Sequence, residues 1–153
     1  MRPEFLGPFV NATLNVLATM ASTEAVAGAP EPRGSQILSS DVTGLIGLIG
    51  ETTQGSFSIS FSEACILRIV SNMLGEEITD LEGDVGDAVG EITNMISGSA
   101  RAELERHGES FRMALPNVIV RRGHTTAVIA TVPSVVVRYT TDAGTFFTET
   151  CLT

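Results

Sequence analysis

A chain of 153 residues, 43% apolar and carrying a formal charge of −9, is long enough to bury a core as one domain spanning 1–153. All nine cations are arginine and none forms a basic run, so nucleic acid and anionic membrane are excluded as partners on electrostatic grounds. Cys65 and Cys151 lack CxxC spacing and stand in apolar segments, as buried structural thiols of a reducing compartment do, and the isolated His107 and His124 offer no metal-ligand spacing.

In chain order, Phe5, Phe9, Leu14, Leu17 and Met20 recur at helical spacing and predict an amphipathic opening helix. Glu4, Pro8, Asn11 and Asn15 interrupt the run and leave no continuous apolar h-region, so a signal peptide is not expected. No segment approaches the ~20 apolar residues needed to cross a bilayer, and a soluble, cytoplasmic protein is expected. Residues 27–35, rich in Gly, Pro and Ala, read as a loop. Residues 36–50 are apolar and β-branched with glycines at 44, 47 and 50, which predicts a strand pair with close backbone approaches. In 56–62 Phe57, Ile59 and Phe61 alternate with serines, the pattern of a half-buried antiparallel strand. Ser62 is placed as the N-cap of a helix that runs to Leu74 and stops at Gly75. An acidic link, 76–83, leads to a long helix over 84–106. From Phe111 onward strands are expected at 118–120, 127–132, 135–139 and 145–152, separated by Gly123, Pro133 and the turn Asp142-Ala143-Gly144.

Helix–strands–helix followed by helix–strands suggests a loose internal duplication. The class expected is α+β: two layers, an antiparallel sheet with long helices packed on one side.

The helix over 84–106 carries two faces. At ~100° per residue, Val85, Ala88, Val89, Ile92, Met95, Ile96 and Ser99 fall within about 60° of Ile92 and should face the core. Asp87, Glu91, Asn94, Gly98 and Glu105 fall on one flank, roughly 100° to 160° away. Glycine in an exposed helix interior costs about 1 kcal/mol relative to alanine, which is tolerable where another surface must come close. Glu91 and Asn94 at i, i+3 lie on neighbouring turns. ExxN alone is a weak pattern, equally consistent with a solvated helix face; Asp87 one turn earlier and the glycines at 86, 90 and 98 make the setting more specific.

With these residues in place, the sequence resembles the CheX branch of the CheC/CheX/FliY phosphatases of bacterial chemotaxis. The motif of that family, Asp or Ser, then Glu, then Asn, with a proline some twenty residues on, corresponds to Asp87, Glu91, Asn94 and Pro116. The likeness extends to residues 9–17 of the opening helix, the glycine-bearing strands at 44–50 and 56–61, residues 71–77, Leu115-Pro116 and the strand beginning Gly144-Thr145-Phe146. ExxN occurs once, and Pro8 stands where a second motif on the opening helix would need glutamate, which favours the CheX type with one site.

The resemblance implies hydrolysis of the aspartyl phosphate of a phosphorylated CheY-like response regulator. Phosphoryl transfer needs an in-line water and charge stabilisation, and little covalent work from the protein. The regulator would supply Mg²⁺ and a lysine, so no cofactor is expected on this chain. Asn94 would orient the attacking water through its amide and carbonyl, and Glu91 would pair with the regulator's lysine. Asp87 either assists docking or is a first-turn acid favoured by the helix dipole. Gly98 either admits the regulator's backbone or serves packing, and Pro116 sets a strand entry. A homodimer with sheets joined across a two-fold axis is implied, the lysine-free C-terminal strands being an edge hazard if unpaired. The alternatives are a non-catalytic adaptor that binds a response regulator, and a structural role.

Overall fold

A computed structural model of the chain describes residues 3–52, 54–125 and 133–152. The strand expected at 127–132 lies outside the described residues. Three helices, α1 (Pro3–Ala21), α2 (Glu63–Leu74) and α3 (Asp84–Arg106), pack on one antiparallel sheet. Its strands are β1 (Val26–Ala27), β2 (Glu31–Pro32), β3 (Ser39–Gly50), β4 (Gln54–Phe61), β5 (Phe111–Met113), β6 (Asn117–Thr125), β7 (Val135–Thr141) and β8 (Gly144–Leu152). The order is β1-β7-β8-β4-β3-β5, with β2 also on β7 and β6 also on β3. This is the α+β, two-layer arrangement expected.

Period-two alternation places the core. Phe57, Ile59 and Phe61 of β4 register with Ile46, Gly44 and Val42 of β3, on the face the helices cover. Phe9 of α1 stacks on Phe57 with ring centroids 5.1 Å apart. Each such fully buried aromatic contributes roughly 1.5–3 kcal/mol in removal from water. The serines of β4 were expected to face solvent, yet Ser58 and Ser60 are buried. Ser60 bonds Thr43 on β3 at 2.8 Å, so the opposite face carries a packed polar layer rather than open water.

Within 36–50 the chain forms one twelve-residue strand, Ser39–Gly50, not a pair. The glycines are approach points within it. Ala114 lies 3.6 Å from a Cβ built on Gly47, and Ala114 N–H donates to the Gly47 carbonyl. Gly123 likewise does not end a strand: it lies inside β6 at φ +68°, its N–H donating to Asp41 Oδ1 beside a register shift between Ser40 and Val42. The 27–35 loop contributes two short bridges to β7.

The second helix follows its local signals. The hydroxyl of Ser62 accepts from Cys65 N, and Gly75 closes the helix at φ +69°, a conformation that favours glycine. Helix α3 spans the expected residues, but its buried arc is rotated. Thr93, Ser97, Ala100 and Leu104 join Val85, Val89, Ile92 and Ile96 inside, Ala88 and Met95 are half-buried, and Ser99 is exposed. The reason is that α3 leans on α1 on one side and over β3, β5 and β6 on the other. Met20 of α1 is likewise outside, 45% exposed.

The C-terminal strands are not the sheet's edge. β8 lies between β7 and β4, while β7 is covered by β8 on one side and β1 and β2 on the other. Among the described residues β6 pairs only with β3, and Ile119 and Val120 on it are exposed.

Candidate functional site

Helix α3 is rigidly framed. Beneath it, Thr93 and Val89 rest over Gly44 of β3. Along its flank, Cβ atoms built on Gly86, Gly90 and Gly98 would stand 3.8 Å from Val120, 3.6 Å from Val118 and 3.9 Å from Met113. Asn94 occupies the i+4 step between Gly90 and Gly98 on that same row. A stripe of small residues therefore lets β6 and β5 run close beside the helix, and Asn94 rises from the seam.

Asp87 and Glu91 are exposed, while Asn94 and Gly98 are half-buried. No hydrogen bond or ion pair among the described residues engages the side chains of Asp87, Glu91 or Asn94. The nearest cation along the helix on the C-terminal side, Arg101, is held by Glu105 at 3.2 Å, which removes Glu105 from the open arc. Asp87, Glu91 and Asn94 thus share one accessible arc, with a carboxamide free to donate and accept at once. Pro116 immediately precedes β6 and sets the entry of the strand that flanks this seam.

Arrangements outside the site were invisible to local reading. His124, expected to be isolated, is embedded in hydroxyls: its Nε2 lies 2.8 Å from Thr43 Oγ1 and 3.3 Å from Ser40 Oγ. Its Nδ1 lies 2.7 Å from the Arg121 carbonyl, which accepts from the Nδ1 proton. Asp41 accepts from both Glu63 N and Gly123 N, tying the start of α2 to β6. No local signal announced either, since apart from Arg121, three residues from His124, the partners are separated by 22 to 84 residues. Cys65 is buried and Cys151 half-buried, and burial pushes both thiols up from their ordinary value. Among the described residues no cluster of three His, Cys, Asp or Glu side chains is placed to hold a metal ion, and no helix is long and apolar enough to cross a membrane.

Comparison with known proteins places this geometry. A family model described as chemotaxis phosphatase CheX matches residues 42–140. Among solved structures, the chemotaxis protein CheX of Vibrio vulnificus is 41% identical with a TM-score of 0.94, covering 98% of this chain and 99% of that one. A CheC-like superfamily protein of Shewanella sp. PV-4 is 38% identical with a TM-score of 0.95, covering 100% and 99%. A CheX–CheY–BeF3–Mg²⁺ complex from Borrelia burgdorferi shares the fold at 22% identity and a TM-score of 0.80, covering 99% of each chain. A search of curated protein sequences found no match. The family model spans well over half of the chain, and its descriptor agrees with relatives that cover nearly all of it: the protein belongs to the CheX family of chemotaxis phosphatases.

Proposed function

We propose that this protein dephosphorylates the aspartyl phosphate of a CheY-like response regulator, docking through Glu91 and orienting the attacking water with Asn94. The observation that carries this reading is the Asn94 amide, unengaged among the described residues, beside exposed Glu91 and Asp87 on one arc of α3. The Borrelia burgdorferi complex, in which a CheX of the same fold is bound to CheY with BeF3 and Mg²⁺, supports the choice of partner and a Mg²⁺ that arrives with it.

The chemistry asks for positioning alone. Asn94 accepts a hydrogen bond from a water through its carbonyl and directs the lone pair in line with the phosphorus. Glu91, fully outside, reaches a lysine of the regulator and holds α3 over the acyl phosphate. Asp87 lies one turn N-terminal to Glu91 and extends the same acidic contact. Gly98, half-buried at the C-terminal end of the arc, serves the packing of β5 beside the helix rather than the regulator's approach. Two copies of the chain would join through β6, which among the described residues pairs only with β3, rather than through β7 or β8.

The test is loss of acyl phosphate from a phosphorylated CheY-like regulator with this protein at a tenth of its concentration or so. Multiple turnovers above the regulator's own decay are expected. Docking without turnover would instead favour a non-catalytic adaptor using the same arc.

A further inference from the structure

The glycines around α3 are not equivalent. A Cβ added at Gly86, Gly90 or Gly98 would meet its nearest neighbour at 3.8, 3.6 and 3.9 Å, ordinary van der Waals contact. A Cβ added at Gly44 would stand 2.0 Å from Thr93 Oγ1, 3.1 Å from Val89 Cγ1 and 3.2 Å from Thr93 Cβ. Gly44 needs no special backbone conformation, since it is not among the residues of positive φ. What it supplies is empty space in the middle of the central strand, flanked in register by Ile59 on β4 and Val118 on β6.

Thr93 fills that space. It is fully buried, and its hydroxyl donates back to the Val89 carbonyl at 2.7 Å, so Oγ1 has no freedom to swing aside. Thr93 is also the residue between Ile92 and Asn94, two positions after Glu91. We infer that Gly44 is a positioning residue for the α3 site: the socket it leaves in β3 seats Thr93 and thereby sets the height at which the helix carries Asn94 and Glu91. This rests on the reading of those two residues as the working pair. The close-packed core offers no slack: Ile92, Ile96 and Val89 beside Thr93 are all fully buried. A methyl at 44 must therefore lift or tilt α3 as a body.

Three variants test it: Gly44→Ala, Thr93→Ala, and the two together. Turnover is measured on a phosphorylated CheY-like regulator, and the ¹⁵N resonances of the Asn94 side-chain amide are followed in the protein alone. Gly44→Ala should lower kcat by about tenfold to a hundredfold, since misplacement by about an ångström costs that much in an oriented reaction. It should also move the Asn94 resonance. Thr93→Ala in the same chain removes the 2.0 Å contact, leaving those at 3.1 and 3.2 Å, and should restore turnover to within about threefold of Thr93→Ala alone and return the Asn94 resonance to its position in that variant. Gly86→Ala, a control on the same helix with room for its methyl, should leave turnover within about threefold of the parent. A folded Gly44→Ala chain at the parental rate, or a defect that Thr93→Ala does not relieve, overturns the inference. If Gly44→Ala alone fails to fold, recovery of folding in the double variant supports the socket, and failure there overturns it. If the parent has no phosphatase activity, the functional reading falls, but the Asn94 resonance still decides the seating: shifted and restored supports it, unchanged overturns it.

Discussion

Arg33 reaches Glu149 at 2.6 Å with only 3% of its side chain exposed, joining the loop after β2 to the middle of β8. The guanidinium also donates to the Gln36 carbonyl through Nε, and Ser134 donates to the second Glu149 oxygen. The ion pair pins the loop beside a small apolar cluster of Leu38, Val136 and Phe147. Removing one partner of a buried pair typically costs about 3–5 kcal/mol, because the remaining charge stays buried. Glu149→Ala should therefore lower stability by several kcal/mol in chemical denaturation, while replacing Arg33 and Glu149 together by apolar residues should cost much less. Phosphatase turnover of whatever stays folded should be unchanged, since neither residue lies on α3 or on β3, β5 and β6 beside it.

Binding and chemistry should separate on mutation of the α3 arc. Asn94→Ala should leave docking to the phosphorylated regulator near parental and reduce kcat by about 100-fold, because it removes an interaction needed only when water attacks. Glu91→Ala should weaken docking by about tenfold, the scale of one charge-assisted hydrogen bond. Surface plasmon resonance paired with acyl-phosphate decay distinguishes the two. Undiminished turnover by Asn94→Ala would refute the water-orienting role.

Chelation should stop dephosphorylation by stripping Mg²⁺ from the regulator while the phosphatase keeps its melting temperature. Calorimetry of the protein alone with Mg²⁺, Mn²⁺ and Zn²⁺ should give no stoichiometric binding. Tight binding lost in Glu91→Ala or Asp87→Ala would point to a metallohydrolase instead. Rising salt should weaken docking, since the acidic arc meets a cationic partner.

Alkaline pH should destabilise the fold in two stages. Burial raises Cys65 above the ordinary thiol value of 9.0 and Tyr139 above the ordinary phenol value of 10.0, hydrogen bonds to Thr141 and Thr148 acting the other way. Each group ionises first in the unfolded chain, so the unfolded state binds fewer protons there and stability falls as pH rises. The contribution of each is complete below its unfolded value and is lost as pH climbs through its folded one. Melting curves should therefore begin to drop near pH 9, and Cys65→Ala should flatten the decline between about pH 9 and 10. An unaltered slope in that variant would remove the thiol from the account.

The sequence by itself determined what neighbours along the chain decide. The bounds of α2 follow from Ser62 and Gly75, which satisfy or end the helix within one turn of themselves. The core face of β4 follows from strict alternation at 57, 59 and 61. The common arc of Asp87, Glu91 and Asn94 follows from the 3.6-residue period, needing no knowledge of the rest of the molecule. Tertiary structure alone decided the remainder. That Ser39–Gly50 is one strand follows from its pairing with β4 on one side and β5 and β6 on the other, and Gly44 within it lies under Thr93 of a helix some fifty residues later. The rotation of α3's buried arc depends on its being wedged between α1 and β6, which its own periodicity cannot report. The half-burial of Asn94 and the hydroxyl shell around His124 likewise arise from strands brought together by the sheet's order, as does the pairing of β6, among the described residues, with β3 alone. Helical periods and caps are set by contacts a few residues apart, whereas sheet order and helix seating are set by packing between segments the chain has no local means of naming.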